Sequence, residues 1–144
     1  MLSNLFLTKN QKLVKKWKKE HELMVEQAHK VIAEYVKNNH SAAKANLRAL
    51  GGIAADHLTN EDIEFYKLTK DPERNDAATV QQVAEFQDSF KDVKHVLMKF
   101  LAKYGKDDAV LDEAFFDTFN SIVDILAERI EFEESKLYFR MSLG

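Results

Sequence analysis

The chain has 144 residues, 45% hydrophobic and 31% charged, with a formal net charge of −3 and no cysteine. That length suits one ordinary domain with a real core, taken here as residues 1–144. Without thiols there are no disulfides, thiolate zinc sites, iron–sulfur clusters or thiol nucleophiles, and the charge gives no reason to expect nucleic acid.

The opening "MLSNLFL" has no basic lead-in and no small-residue cleavage site, so it does not read as a signal peptide; "LFL" is expected to pack on a bundle end. No apolar run approaches the roughly 20 residues of a membrane span, and the expected compartment is the cytoplasm. Four segments then carry helical periodicity. The first spans about 8–38, with Leu13, Val14, Trp17, Met24, Ala28, Val31, Ile32 and Tyr35 on one face. "NNHSAA" breaks it, Ser41 is a candidate cap, and a second helix continues to about residue 70. "TKDPERND" is the clearest loop, where Pro72 stops a helix and Asp76 caps the next. A third helix runs to about 104 through Phe86, Phe90, Val93, Leu97, Leu101 and Tyr104. "YGKDD" ends it, Asp107 is a candidate cap, and a fourth helix reaches about 140 through Leu111, Phe115, Ile122, Leu126, Ile130 and Leu137. Nothing alternates like a strand. Four such helices with short loops predict an all-α, up-down-up-down bundle.

Charge is uneven along these helices. Lysines 9, 12, 15, 16, 18 and 19 make the first helix start basic, while acids crowd the fourth from Asp107 to Asp124. The simple reading is attraction across a solvated seam between neighbouring helices; the alternative is a basic patch for a partner.

The informative residues are polar ones inside apolar stripes. "HLTNEDIEFY" from His57 and "RIEFEESKLY" from Arg129 share one order: basic residue, three spacers, Glu, acid, two spacers, apolar residue, Tyr. Positions i and i+4 share a helix face, so His57/Glu61 and Arg129/Glu133 are side-by-side inward pairs. Asp62 and Glu134 fall toward the edge. His21 joins them from the first helix, one turn beyond Trp17. Buried charges must pair or bind a metal. Imidazole with carboxylate is a ligand set for zinc, iron or manganese. The competing reading is a structural network in which Arg129 neutralises Glu61 and Glu133. Tyr66 and Tyr138 occupy equivalent places, either as hydroxyl donors reaching the polar core behind the ligands or as caps of the bundle end, the latter preferred.

The two stretches, with His21 before them, resemble the hemerythrin-like (HHE cation-binding) domains over nearly the whole chain. The resemblance implies a four-helix bundle with a non-haem di-iron centre for oxygen or nitric-oxide binding, sensing, or iron handling, and here an iron content of one or two ions, or none. It assigns His21 and His57 as ligands and Glu61 and Glu133 as the two bridging carboxylates. Two departures leave the ligand set incomplete. Arg129 stands where the fourth helix should carry a ligating His, and a guanidinium has no lone pair to give. On the third helix the sole histidine is His95, which lies off the apolar stripe.

"KLVKKW", "HLTNEDIEFYKL" and "LAERIEFEESKL" are also similar to the regulator-of-sigma-D family, which implies a metal-free interaction module for a regulatory protein such as a sigma factor. Glu26 with His29 and Asp92 with His95 echo a ferritin-like spacing but sit off their stripes. No phosphate loop or nucleophile elbow is present, and nothing in the residues supports catalysis.

Overall fold

The computed structural model describes residues 7–71 and 76–142. Pro72 and the first six residues, including most of "LFL", lie outside them. The described residues form four helical arms and no strand. The first arm is α1 (Lys9–Val36) and the second α2 (His40–Lys70). The third is α3 (Ala77–Phe90) followed by α4 (Val93–Tyr104). The fourth is α5 (Glu113–Phe132), a π turn (Glu133–Leu137) and α6 (Tyr138–Ser142).

Local chemistry sets the arm boundaries. Thr8 and Gln11 form a reciprocal capping box: the Gln11 amide donates to Thr8 Oγ1 at 3.1 Å and the Thr8 amide to Gln11 Oε1 at 3.0 Å. Asp76 caps α3, accepting from the Thr79 amide at 2.7 Å. Ser41 is not a cap. Asn38 turns left-handed (φ 64°), while the Asn39 amide donates to Glu34 and that of Asn38 to Tyr35. This Schellman turn ends α1 and restarts the chain so tightly that Ser41 already lies in the first turn of α2. Nor is Asp107 a cap. Its carboxylate takes a 2.6 Å bond from Arg48 in a connecting segment, and Asp112 caps α5 through the Phe115 amide at 2.9 Å. The third arm is broken at Lys91 and Asp92, where Asp92 sits at φ −95°, ψ −6°.

The arms bury two apolar clusters. One gathers Met24, Val31, Leu47, Leu50, Ala54, Leu97, Phe100, Phe115, Phe119 and Leu126. The other holds Val14, Trp17, Phe65, Val83, Phe86, Leu137, Tyr138 and Met141. Gly51 permits α2 to meet α4 closely, since a Cβ there would stand 2.6 Å from Leu101 Cδ1. The first and fourth arms run antiparallel. Gln11 Nε2 therefore donates to the Ser142 carbonyl, and the basic start of α1 lies by the end of the fourth arm. Its acids at 107–117 are at the far end, so the expected charge seam between these helices does not form there. No helix among the described residues is long and apolar enough to cross a membrane.

Candidate metal centre

Between the two apolar clusters the inward stripes of the first, second and fourth arms change to polar residues. His21 follows Trp17 and precedes Met24 on α1; His57 and Glu61 lie between Ala54 and Phe65 on α2; Arg129 and Glu133 lie between Leu126 and Leu137 on the fourth arm. All five are buried, with Glu61 and Glu133 at 0% exposure. A charge left unpaired at such a depth would be very costly, so the partners matter.

His21 Nε2 and His57 Nε2 point at each other across 2.9 Å. His21 Nε2 is 3.1 Å from Glu133 Oε1, and His57 Nε2 is 2.9 Å from Glu61 Oε1. Each ring is held from behind by a carboxylate: His21 Nδ1 donates to Glu134 Oε2 at 2.6 Å and His57 Nδ1 to Glu20 Oε1 at 2.7 Å. Those bonds place the Nδ1 protons and leave the two Nε2 lone pairs facing one another. Only a proton or a cation between them relieves that arrangement. The Tyr138 hydroxyl donates to Glu61 Oε2 and lies 3.1 Å from His21 Nε2. Arg129 donates from Nε to Glu133 Oε2 at 3.0 Å, with longer contacts from Nη2 to Glu61 Oε1 (3.5 Å) and Asp62 Oδ1 (3.4 Å).

The shared surroundings move the titrations apart. Burial pushes His57 below the ordinary imidazole range despite Glu20. Burial acts the same way on His21, but Glu133 and Glu134 outweigh it and raise its pKa. Glu61 is raised by burial, against Arg129 and Tyr138. Glu133 is pushed up to about 7 by burial, with His21 opposing and the Glu61 charge adding to the rise. Burial and the nearby carboxylates drive the Tyr138 phenol far up, so it stays a donor. For Arg129 the three acids outweigh burial and keep it charged. Of the two rings, His21 is thus the one whose protonated form its surroundings favour.

The same donors can hold a metal. One atom each from His21, His57, Glu61 and Glu133 can be chosen so that all four lie within 4.8 Å of one another. The neighbouring separations of 2.9–3.1 Å are close to the roughly 3 Å between adjacent ligands around a small divalent ion. Glu133 Oε1, fully buried, has no hydrogen-bond partner. An orphaned carboxylate oxygen beside two converging imidazole lone pairs fits a cation.

Of the residues anticipated nearby, Glu134 is at the centre and Tyr138 reaches it, whereas Tyr66 does not. Tyr66 is 60% exposed, under Lys70 Nζ, because a regular α-helix carries the residue five after Glu61 outward. Tyr138 takes the polar role rather than only that of a bundle-end cap, because the π turn swings it inward. Its amide donates to the Glu133 carbonyl, five residues back. His95 and His29 are exposed. Sequence reasoning missed Glu20. Its one signal was its place beside His21, three residues beyond Trp17, on the stripe's edge.

A helical bundle whose core is interrupted by four converging imidazole and carboxylate donors has the architecture of a cation-binding domain. The family model of the hemerythrin HHE cation binding domain matches residues 12–140, and the chain belongs to that family. No curated protein and no solved structure matches it significantly.

Proposed function

We propose that this protein binds a single non-haem metal ion, iron by preference, through His21, His57, Glu61 and Glu133, and uses it to carry or sense a diatomic ligand or to handle iron. Supporting this above all is the pair of imidazoles backed by Glu134 and Glu20, so that the two Nε2 atoms face each other, His21 Nε2 beside Glu133 Oε1 and His57 Nε2 beside Glu61 Oε1. Iron, when bound, would supply the affinity for dioxygen or nitric oxide. The chain's residues do the rest. Trp17 lies edge-on to His57 at 6.1 Å and closes the centre on one side, and Tyr138 offers a hydroxyl proton beside Glu61. Arg129 holds a fixed positive charge against both carboxylates. With no lone pair it cannot complete a second metal position, and the exposed His95 cannot do so either. One metal per chain is therefore the expected stoichiometry. We take the chain to act as one cytoplasmic domain, on its length and lack of cysteine.

A second reading rests on Arg129 itself. A guanidinium bonded to Glu133 and near Glu61 is already a resident cation, which suits a metal-free bundle whose surface binds a regulatory protein. Metal analysis of protein purified without chelator, with absorption spectra before and after air, separates the two. About one iron per chain, lost in His57→Ala while the helical signal persists, supports the first reading. No metal, and no uptake of added iron or manganese, defeats it and leaves the second.

A further inference from the structure

The break in the third arm opens a cavity. About 170 Å³ in volume, it is walled by Asp62, Phe86, Phe90, Lys91, Lys94 and Arg129 among others, and none of the four candidate metal ligands lines it. Three of these side chains are cations and one is an acid. Arg129 is 3% exposed, yet one of its nitrogens is left over. Nε and Nη2 serve Glu133, Glu61 and Asp62, whereas Nη1 has no acceptor among the described residues. Arg129 itself lines the cavity, so the guanidinium edge that these acids leave free is the part an occupant would meet. The guanidinium plane is fixed by Phe86, whose ring centroid is 4.7 Å from the guanidinium carbon.

The two lysines can turn toward the same space. Lys94 Nζ donates one bond, to Thr59 Oγ1 at 2.7 Å, which leaves two of its three protons. Lys91 has only a 3.9 Å contact with the exposed Asp88. An ordered guanidinium at the floor and two ammonium groups at the rim are the donor set that tetrahedral oxyanions take. Asp62, 53% exposed, is the acid that opposes them.

We propose that this cavity binds a small inorganic oxyanion of the sulfate or phosphate class, held by Arg129 Nη1 below and by Lys91 and Lys94 above. The site is separate from the metal reading and stands or falls without it. The test is titration of the full chain with sodium sulfate at constant ionic strength, followed by calorimetry and by the ¹H–¹⁵N signal of the Arg129 side chain. It is run on protein as purified and again after chelation. One saturable site is expected in both states, with affinity falling at least tenfold in Lys91→Met/Lys94→Met and rising several-fold in Asp62→Asn. These side chains are surface or half-buried, and an unchanged melting curve verifies that the variants are folded. Unsaturable binding, or equal affinity in the double variant, would mean adventitious ion contact and overturn the proposal. Binding that vanishes on chelation would place sulfate on a metal and overturn it as well.

Discussion

Residues 57–66 and 129–138 carry the same order of side-chain types and finish in different places. Both put a basic residue and a glutamate on one inward face, and both glutamates are fully buried. The stretches then diverge at the tyrosine. Tyr66 is 60% exposed and Tyr138 is 1% exposed. Within α2 the helix is regular, so Phe65, four after Glu61, turns inward and the next residue leaves the core. In the fourth arm the π turn adds one residue to that turn, and Leu137 and Tyr138 both face inward. The first residue of each copy differs in kind. His57 can give a lone pair, while Arg129 can only give protons and charge. One copy begins with a group that has a lone pair to give, and the other with a fixed counter-charge for the two glutamates.

Breaking the Arg129 side of that comparison has the largest expected effect. In metal-free protein, Arg129→Leu leaves Glu61 and Glu133 without their cation and should destabilise by about 3–5 kcal/mol in urea unfolding. A harmless Arg129→Leu would show that the pair is not what neutralises the core.

Acidity probes both copies at once. Glu133, raised to about 7, binds its proton more tightly folded than unfolded. Its contribution to the metal-free protein is thus fully present at low pH and lost as pH rises from the ordinary carboxylate range through about 7. Metal binding needs the opposite form, because the ligands must be deprotonated. Metal affinity measured across pH 5.5–8 should therefore rise steeply about pH 7 as metal-free stability declines. A flat affinity would remove Glu133 from the ligand set.

The carboxylates behind the histidines sharpen the contrast between ligand and support. Glu20→Gln and Glu134→Gln should each weaken metal binding by about 10–100-fold with the fold intact, as read by competition with a chelating dye. No loss in either would mean that the rings are held by packing alone.

The tyrosines give the smallest and most direct test. Tyr138→Phe removes a buried donor from Glu61 and should cost about 1–2 kcal/mol, whereas Tyr66→Phe should stay within about 0.5 kcal/mol. Equal effects in thermal melts would deny the π turn its role.

Much of this architecture could be read along the chain. Steps of three and four residues marked four arms, and the same steps placed His21, His57, Glu61, Arg129 and Glu133 inward. The break at Lys91 and Asp92 could not be read, because buried Val83, Phe86, Val93, Leu97, Phe100 and Tyr104, with half-buried Phe90, keep helical spacing straight through it. Ser41 and Asp107 were plausible caps by residue type. A left-handed Asn38 and the pull of Arg48 on Asp107 decided otherwise. Glu20 sits on a stripe's edge, where sequence alone does not say whether a carboxylate turns to water or to a neighbouring helix.

The amino-acid sequence by itself determined that the chain is helical, where its polar residues interrupt the apolar faces, and that Arg129 can never be a ligand. Periodicity carries that much because it reports each side chain's direction about its own helix axis. Tertiary structure alone decided that two Nε2 atoms stand 2.9 Å apart, that Tyr138 joins them, and that Arg129 lines a cavity with Lys91 and Lys94. Those facts depend on how one helix is rotated and shifted against the next, and on a single extra residue in one turn. Such offsets come from packing between arms and leave no mark in the spacing within any one of them.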